Sequence, residues 1–217
     1  MIGRFDLFYS LEHEKQQHII EAAMEEFAEK GFKHASTNII VEKAGISKGM
    51  LFYYFGSKDE LFDFLCDYII EFGRNEYLHK FMSESQTGDF LERCKILSEI
   101  KHKTMTGFPV LIKFLESIYS HKNEEHFKKY MPAAMELREG VRKHLYDNID
   151  YSLFREDIDP YSTAKYIKWL MDNYEAETTL RVKNENLKFD AEDLADEWKR
   201  YYAFTDDLRK IFYKKIK

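Results

Sequence analysis

Residues able to touch a polyanion are gathered into one short stretch of this 217-residue chain. From Lys33 to Lys58, four lysines (Lys33, Lys43, Lys48, Lys58) stand against one acid, Glu42, a local charge of +3 within a chain of net charge −6. Ammonium and hydroxyl groups bond phosphate oxygens, which positions a protein on a duplex without reading it; reading needs a side chain or bare backbone at the base edges. Tyr53, Tyr54 and Lys58 have the first chemistry. Lys48 and Gly49 have the second, provided they open a helix. The run Phe52-Tyr53-Tyr54-Phe55 is also core material, and for Leu51, Phe52 and Phe55 core is the plain expectation. Tyr53 and Tyr54 point about 100° apart on a helix and are not both expected to be buried.

The elements needed to hold those residues can be read around them. Ser36 or Thr37 can cap a first helix through a hydroxyl that accepts an unsatisfied first-turn N–H. Ile39, Ile40, Val41 and Ala44 supply its apolar side. Gly45 stands where the chain must turn with positive φ. Ser47 can cap again, Lys48 to Phe55 gives two helical turns, and Gly56 ends them. Two helices joined by a short glycine turn make a helix-turn-helix, whose second helix enters the major groove of DNA.

From Ile19 to Leu65 the sequence IIEAAMEEFAEKGFKHASTNIIVEKAGISKGMLFYYFGSKDELFDFL resembles the N-terminal domain of the TetR family of transcriptional regulators. An amphipathic helix ending at Gly31-Phe32, a Ser-Thr cap, the AGISKGMLFYYF turn and helix, and the SKDEL start of a fourth helix follow in order. The resemblance implies DNA contacts at Thr37, Ser47, Lys48, Gly49, Tyr53, Tyr54 and Lys58. Phe52 stands where that family often has tyrosine, and Asn38 where some members have arginine.

The rest of the chain reads as helix. Hydrophobic residues make up 44% of it, only four are valines (Val41, Val110, Val141, Val182), and no alternating β-branched run occurs. An all-α chain is expected, divided into a helix-turn-helix domain at 11–58 and a helical effector-binding and dimerisation domain at 59–217. The first helix is expected from about Leu11 to Lys30, burying Ile19, Ile20, Ala23 and Phe27 and turning Glu21, Glu25, Glu26 and Glu29 away from DNA. Ser57 and Glu60 form a capping box for the next helix, whose stripe is Leu61, Leu65, Tyr68, Ile69 and Phe72. Asp89 caps a helix bearing Phe90, Cys94 and Leu97, and Pro109 starts another. A further helix is expected from near Asn123, interrupted at Pro132. Asp159-Pro160 opens the first of two final helices, 160–183 and about 191–215, joined by a short polar linker at 184–190.

No catalytic, metal or cofactor site emerges, and an enzyme is not expected. The eight histidines never fall in an H-x-x-x-H pair, Cys66 and Cys94 look like buried thiols, and no phosphate-binding glycine loop or G-x-S-x-G occurs. No signal-like segment opens the chain and no run suits a membrane span, so the expected place is the cytoplasm.

Leu194, Trp198, Tyr201, Tyr202, Thr205, Leu208 and Phe212 give the last helix a wide aromatic surface, and a single helix-turn-helix reads only one half-site. A homodimer is therefore expected, with Leu194, Trp198, Tyr202, Thr205 and Phe212 at its interface. The resemblance implies the same use of the last two helices, and a small-molecule pocket from Leu61 onward. Its candidates are Phe72, Leu97, Phe114, Trp169 and Asn173, with Glu177 for a cationic effector; a largely apolar effector is expected. The function that follows is a repressor released from a palindromic operator in double-stranded DNA by that effector. Alternatives are an activator, an effector-independent DNA-binding protein, and a helical small-molecule-binding protein or enzyme without DNA binding.

Overall fold

Ile19, Ile20, Ala23 and Phe27 are buried, as their three- and four-residue spacing demands. The protein is seen here in a computed structural model that describes residues 5–120, 128–187 and 192–215. The described residues are all-α, with a lone bridge between Phe154 and Tyr213. A short helix α1 (Asp6–Tyr9) precedes α2 (His13–His34), so the apolar start of the chain docks rather than lengthening the next helix. Phe8, with no exposed surface, lies 5.0 Å from the rings of both Phe55 and Phe64. Then come α3 (Thr37–Ala44), α4 (Lys48–Phe55) and α5 (Lys58–Phe72), which continues through a π-helical segment, Gly73–His79, into α6 (Lys80–Glu84). The remaining helices are α7 (Phe90–Gly107), α8 (Pro109–Ser120), α9 (Met131–Tyr146), α10 (Pro160–Asn184) and α11 (Ala195–Phe212).

Two compact units divide these elements. The first combines Met1–Glu76 with Phe108–Leu137. Its core needs α8, because Phe114 is fully buried against Phe62 at 5.8 Å and Phe27 at 6.4 Å. The second unit combines Tyr77–Gly107 with Arg138–Lys217. Phe90, Leu91, Cys94, Phe154, Ile167, Leu208 and Phe212 make its larger core cluster. Asp89 caps α7 by accepting the Glu92 N–H at 3.1 Å and ties down the end of α11 by accepting from Arg209 at 2.7 Å and the Tyr213 hydroxyl at 2.9 Å. Arg93, itself buried, donates to the carbonyls of His144, Leu145 and Asp147 and so closes α9.

Several boundaries differ from expectation. Pro132 falls in the first turn of α9, where a missing N–H costs nothing, so it interrupts no described helix. The expected start near Asn123 lies outside the described residues. The last helix ends at Phe212, because Tyr213 turns extended to bridge Phe154. Pro160 opens α10 with Asp159 as its cap, the Ser162 N–H donating to Asp159 at 2.8 Å.

Candidate nucleic-acid interface

The turn between α3 and α4 is built by Gly45, held at φ 65°, where a side chain would be strained. Ser47 then accepts the Met50 N–H at 3.2 Å and fixes the start of α4. Lys48 and Gly49 occupy the exposed first turn. A Cβ placed on Gly49 would meet only the Ser47 hydroxyl at 3.9 Å, so a large partner could approach this backbone closely. Leu51 and Phe55 turn inward and are buried. Tyr53 and Tyr54 separate, as adjacent helical positions must: Tyr53 is 66% exposed and Tyr54 9%.

That division moves Tyr54 from the expected contact residues into the packing, its ring 6.4 Å from Phe8. Thr37 is the first residue of α3 and half-buried, while Ser36 occupies the cap position without a side-chain cap bond. The Ser36 N–H donates instead to Glu26 at 2.9 Å. Glu26 is 3% exposed, so it does not belong to the outer acidic face expected of α2. A lone carboxylate inside an apolar stripe carries no sequence signal of the amide it will meet.

The local excess of positive charge is smaller than the count of lysines. Lys43 pairs with Glu25 at 3.0 Å, and that bond raises its pKa. The Lys58 ammonium donates to the carbonyls of Phe32 at 2.7 Å, Lys33 at 3.2 Å and Ala35 at 3.2 Å. An ammonium has three N–H groups. All three of these are engaged within the protein. The residues presented together outward are Ser47, Lys48, Gly49 and Tyr53.

The sequence pattern of the family described as bacterial regulatory proteins, tetR family, matches residues 19–64, the span from α2 into α5. The chain has a TetR-family N-terminal domain. It is a DNA-binding transcriptional regulator. The HTH-type transcriptional repressor AcnR of Corynebacterium efficiens is 25% identical over 180 residues, 79% of this chain and 86% of that protein. The HTH-type regulator YfiR of Bacillus subtilis, uncharacterised in function, is 39% identical over 66 residues, 30% of each chain. In fold, the chain resembles the ketosteroid transcriptional regulator KstR2 of Mycobacterium tuberculosis, with TM-score 0.58, 18% identity and coverage of 95% and 98%. It also resembles the fatty acid degradation regulator FadR of Bacillus halodurans, with TM-score 0.51, 20% identity and coverage of 89% and 97%.

The six residues expected around an effector are distributed over the two units. Phe114 is core of the first unit, and Phe72 packs on Phe108 at 4.9 Å in the same unit. Leu97 belongs to the second unit's cluster with Phe81 and Ile100. Trp169, Asn173 and Glu177 lie exposed along α10. Periodicity identified apolar faces correctly but not which of them would share a cavity. The first unit does contain a small apolar cavity of about 30 Å³, lined by Cys66, Ile69, Leu115, Ile118, Tyr130 and Met131. Beside it Asp63 accepts from Tyr130 and Lys129, each at 2.6 Å. Burial, reinforced by Asp63, pushes the Tyr130 hydroxyl far above its ordinary pKa, and burial does the same to the Cys66 thiol.

Of the residues expected at a dimer interface, Leu194, Thr205 and Phe212 are buried within the chain itself, and Trp198 and Tyr202 are half-buried. Of the last two helices, α10 exposes Tyr161, Tyr166, Trp169, Leu170 and Leu180, and α11 exposes Ile211. Among the described residues no helix is long and apolar enough to cross a membrane, and no group of His, Cys, Asp and Glu could hold a metal ion.

Proposed function

We propose that this regulator is a cytoplasmic homodimeric repressor that leaves a palindromic operator when a small, largely apolar molecule binds. The observation that carries the reading is the start of α4, where a capped first turn offers Lys48 and an unobstructed Gly49 while its other side is packed. In this reading Lys48 and Gly49 meet base edges, and Thr37, Ser47 and Tyr53 meet phosphates. Residues 11–58 read DNA and 59–217 serve dimerisation and effector binding. Repression is supported by the similarity to AcnR, a transcriptional repressor. An apolar effector is supported by the apolar lining beside Cys66 and by the ketosteroid and fatty acid named for the two structural relatives. The cavity holds about one water, so an effector must open it, displacing Tyr130 or Met131. Dimerisation through the exposed α10 face is supported by its large apolar side chains, Tyr161, Tyr166, Trp169, Leu170 and Leu180.

Linkage fixes the sign of the response: an effector that weakens operator binding binds the operator-bound protein more weakly by the same factor. Selection of bound sequences from random duplex DNA by the full-length protein, at two salt concentrations, tests the reading. Recovery of a two-fold symmetric sequence is expected. Recovery of nothing above background overturns it. With that duplex in hand, Lys48→Ala should change the preferred base at one position of each half-site, costing about 1–3 kcal/mol there. Equal weakening on every sequence variant would make Lys48 a backbone contact only.

A further inference from the structure

Lys58 is the first residue of α5, three residues beyond the end of α4. Its side chain crosses to the far end of α2, where three carbonyls converge on the ammonium. Those carbonyls belong to Phe32 and Lys33, in the short turn after the break at Gly31, and to Ala35, the residue that closes α2. Helix ends leave carbonyls unsatisfied and negative, so a cation there is favoured twice, by hydrogen bonding and by the helix dipole. The Phe32 ring lies 4.9 Å from the same ammonium and stacks on Phe27. One residue beyond Ala35, the Ser36 N–H is held by Glu26, so the start of α3 is fixed to the same corner.

We propose that Lys58 is a positioning residue that ties the reading head to α5, and not a phosphate ligand. The first turn of α5 is joined to α4 through Gly56 and Ser57 and to the end of α2 through Lys58, while Glu26 of α2 holds the Ser36 amide that precedes α3. A displacement of α5 therefore carries α3 and α4 as one body instead of bending the link between them. The proposal rests on the reading of α3 and α4 as the DNA-reading motif.

The test compares the full-length wild type with Lys58→Met and Lys58→Arg. Two duplexes are used, one selected by the wild type from random DNA and one of scrambled sequence and equal length. A salt series is run at a temperature where circular dichroism shows full helix content for each protein. Met keeps the alkyl stem and removes the three donors and the charge. Its affinity for the selected duplex should fall about tenfold, the net value of two or three lost bonds to a charged donor being modest, while the scrambled duplex changes by less than about twofold. The dependence on salt should not change, because no phosphate partner has been removed. Arg keeps the charge but spreads its donors in a plane, which three converging carbonyls do not match. It should show the same loss of selectivity at about threefold, with the salt slope again unchanged.

A slope reduced by about 1 in Lys58→Met, with equal weakening on both duplexes, would overturn the proposal and make Lys58 a phosphate ligand. Full selectivity in Lys58→Arg would also overturn it, and it decides the matter should Lys58→Met fail to fold. Full affinity of Lys58→Met for both duplexes would reduce Lys58 to a helix cap. Failure of the wild type to select any duplex would remove the regulator reading and the positioning role with it. The other outcomes concern Lys58 alone.

Discussion

The last two helices, α10 and α11, carry large apolar residues at the same helical period and put them to opposite use. On α11 the stripe is inside: Leu208 is 2% exposed and Phe212 8%. On α10 the buried side is only Thr163 and Ile167, while Trp169 is 56% exposed and Leu180 59%. Exposed apolar residues of that size on one helix mark a surface that something else covers. The comparison teaches that periodicity reveals an apolar face but not whether its partner belongs to the same chain. The aromatic width of α11 is taken up by α7 and by the segment around Phe154.

The largest effect that would sharpen this contrast is on α11. Leu208→Ala should destabilise the fold by about 2–5 kcal/mol, since it leaves a cavity inside a packed cluster. Denaturant unfolding measures it. A loss below about 1 kcal/mol would mean that α11 is held by something other than its stripe.

Next in size is Asp89→Asn, which breaks the tie between α7 and the end of α11. Burial pushes the Asp89 carboxyl up, but Arg209, the Glu92 N–H and the Tyr213 hydroxyl together hold it below its ordinary value. A depressed acid contributes stability that is present above its unfolded pKa, near 4, and is lost as pH falls through the lower folded value. Wild type should exceed Asp89→Asn by about 1–2 kcal/mol at pH 7, and the gap should close as pH falls below about 4. A gap independent of pH would show that the carboxylate's charge is not what holds α11.

A smaller effect on the fold, with a large one on assembly, is expected on α10. Trp169→Glu should change the stability of the isolated chain by less than about 0.5 kcal/mol, because the ring is mostly exposed. Analytical ultracentrifugation should show a dimer for wild type and a monomer for the variant at equal concentration. A variant that stays dimeric would remove the α10 face from the interface.

How much of this was legible beforehand depends on whether the cause is local. Ser47, Gly45, Asp159 and Asp89 act on the next turn of chain, and their caps and turn could be read from a few residues. Gly31 is legible as a break, and it adopts φ 67° and ψ 168° inside the span His13–His34. The partners of Lys58 and Glu26 were not legible, because each answers a backbone group 10 to 26 residues away. Nothing in the type or spacing of a lysine distinguishes phosphate from the end of a distant helix. A cavity is a property of several helices at once, and spacing on one helix does not reveal it. Cys66, legible as a buried thiol, also lines the small, largely apolar cavity of the first unit.

The smallest effect tests why α10 has so little buried side. Thr163 has no exposed surface, its amide donates to the Asp159 carbonyl at 2.9 Å, and its hydroxyl has no hydrogen-bond partner among the described residues. A buried hydroxyl without a partner costs about 1–3 kcal/mol, so Thr163→Val, which keeps the shape and removes the group, should be neutral or stabilising by up to about 1 kcal/mol. A shift of thermal midpoint upward by a few degrees is the corresponding reading. Destabilisation by more than about 1 kcal/mol would mean that the hydroxyl is bonded in solution. In that case the inner face of α10 is held by polar matching, and its difference from α11 lies in the kind of contact as well as in the amount.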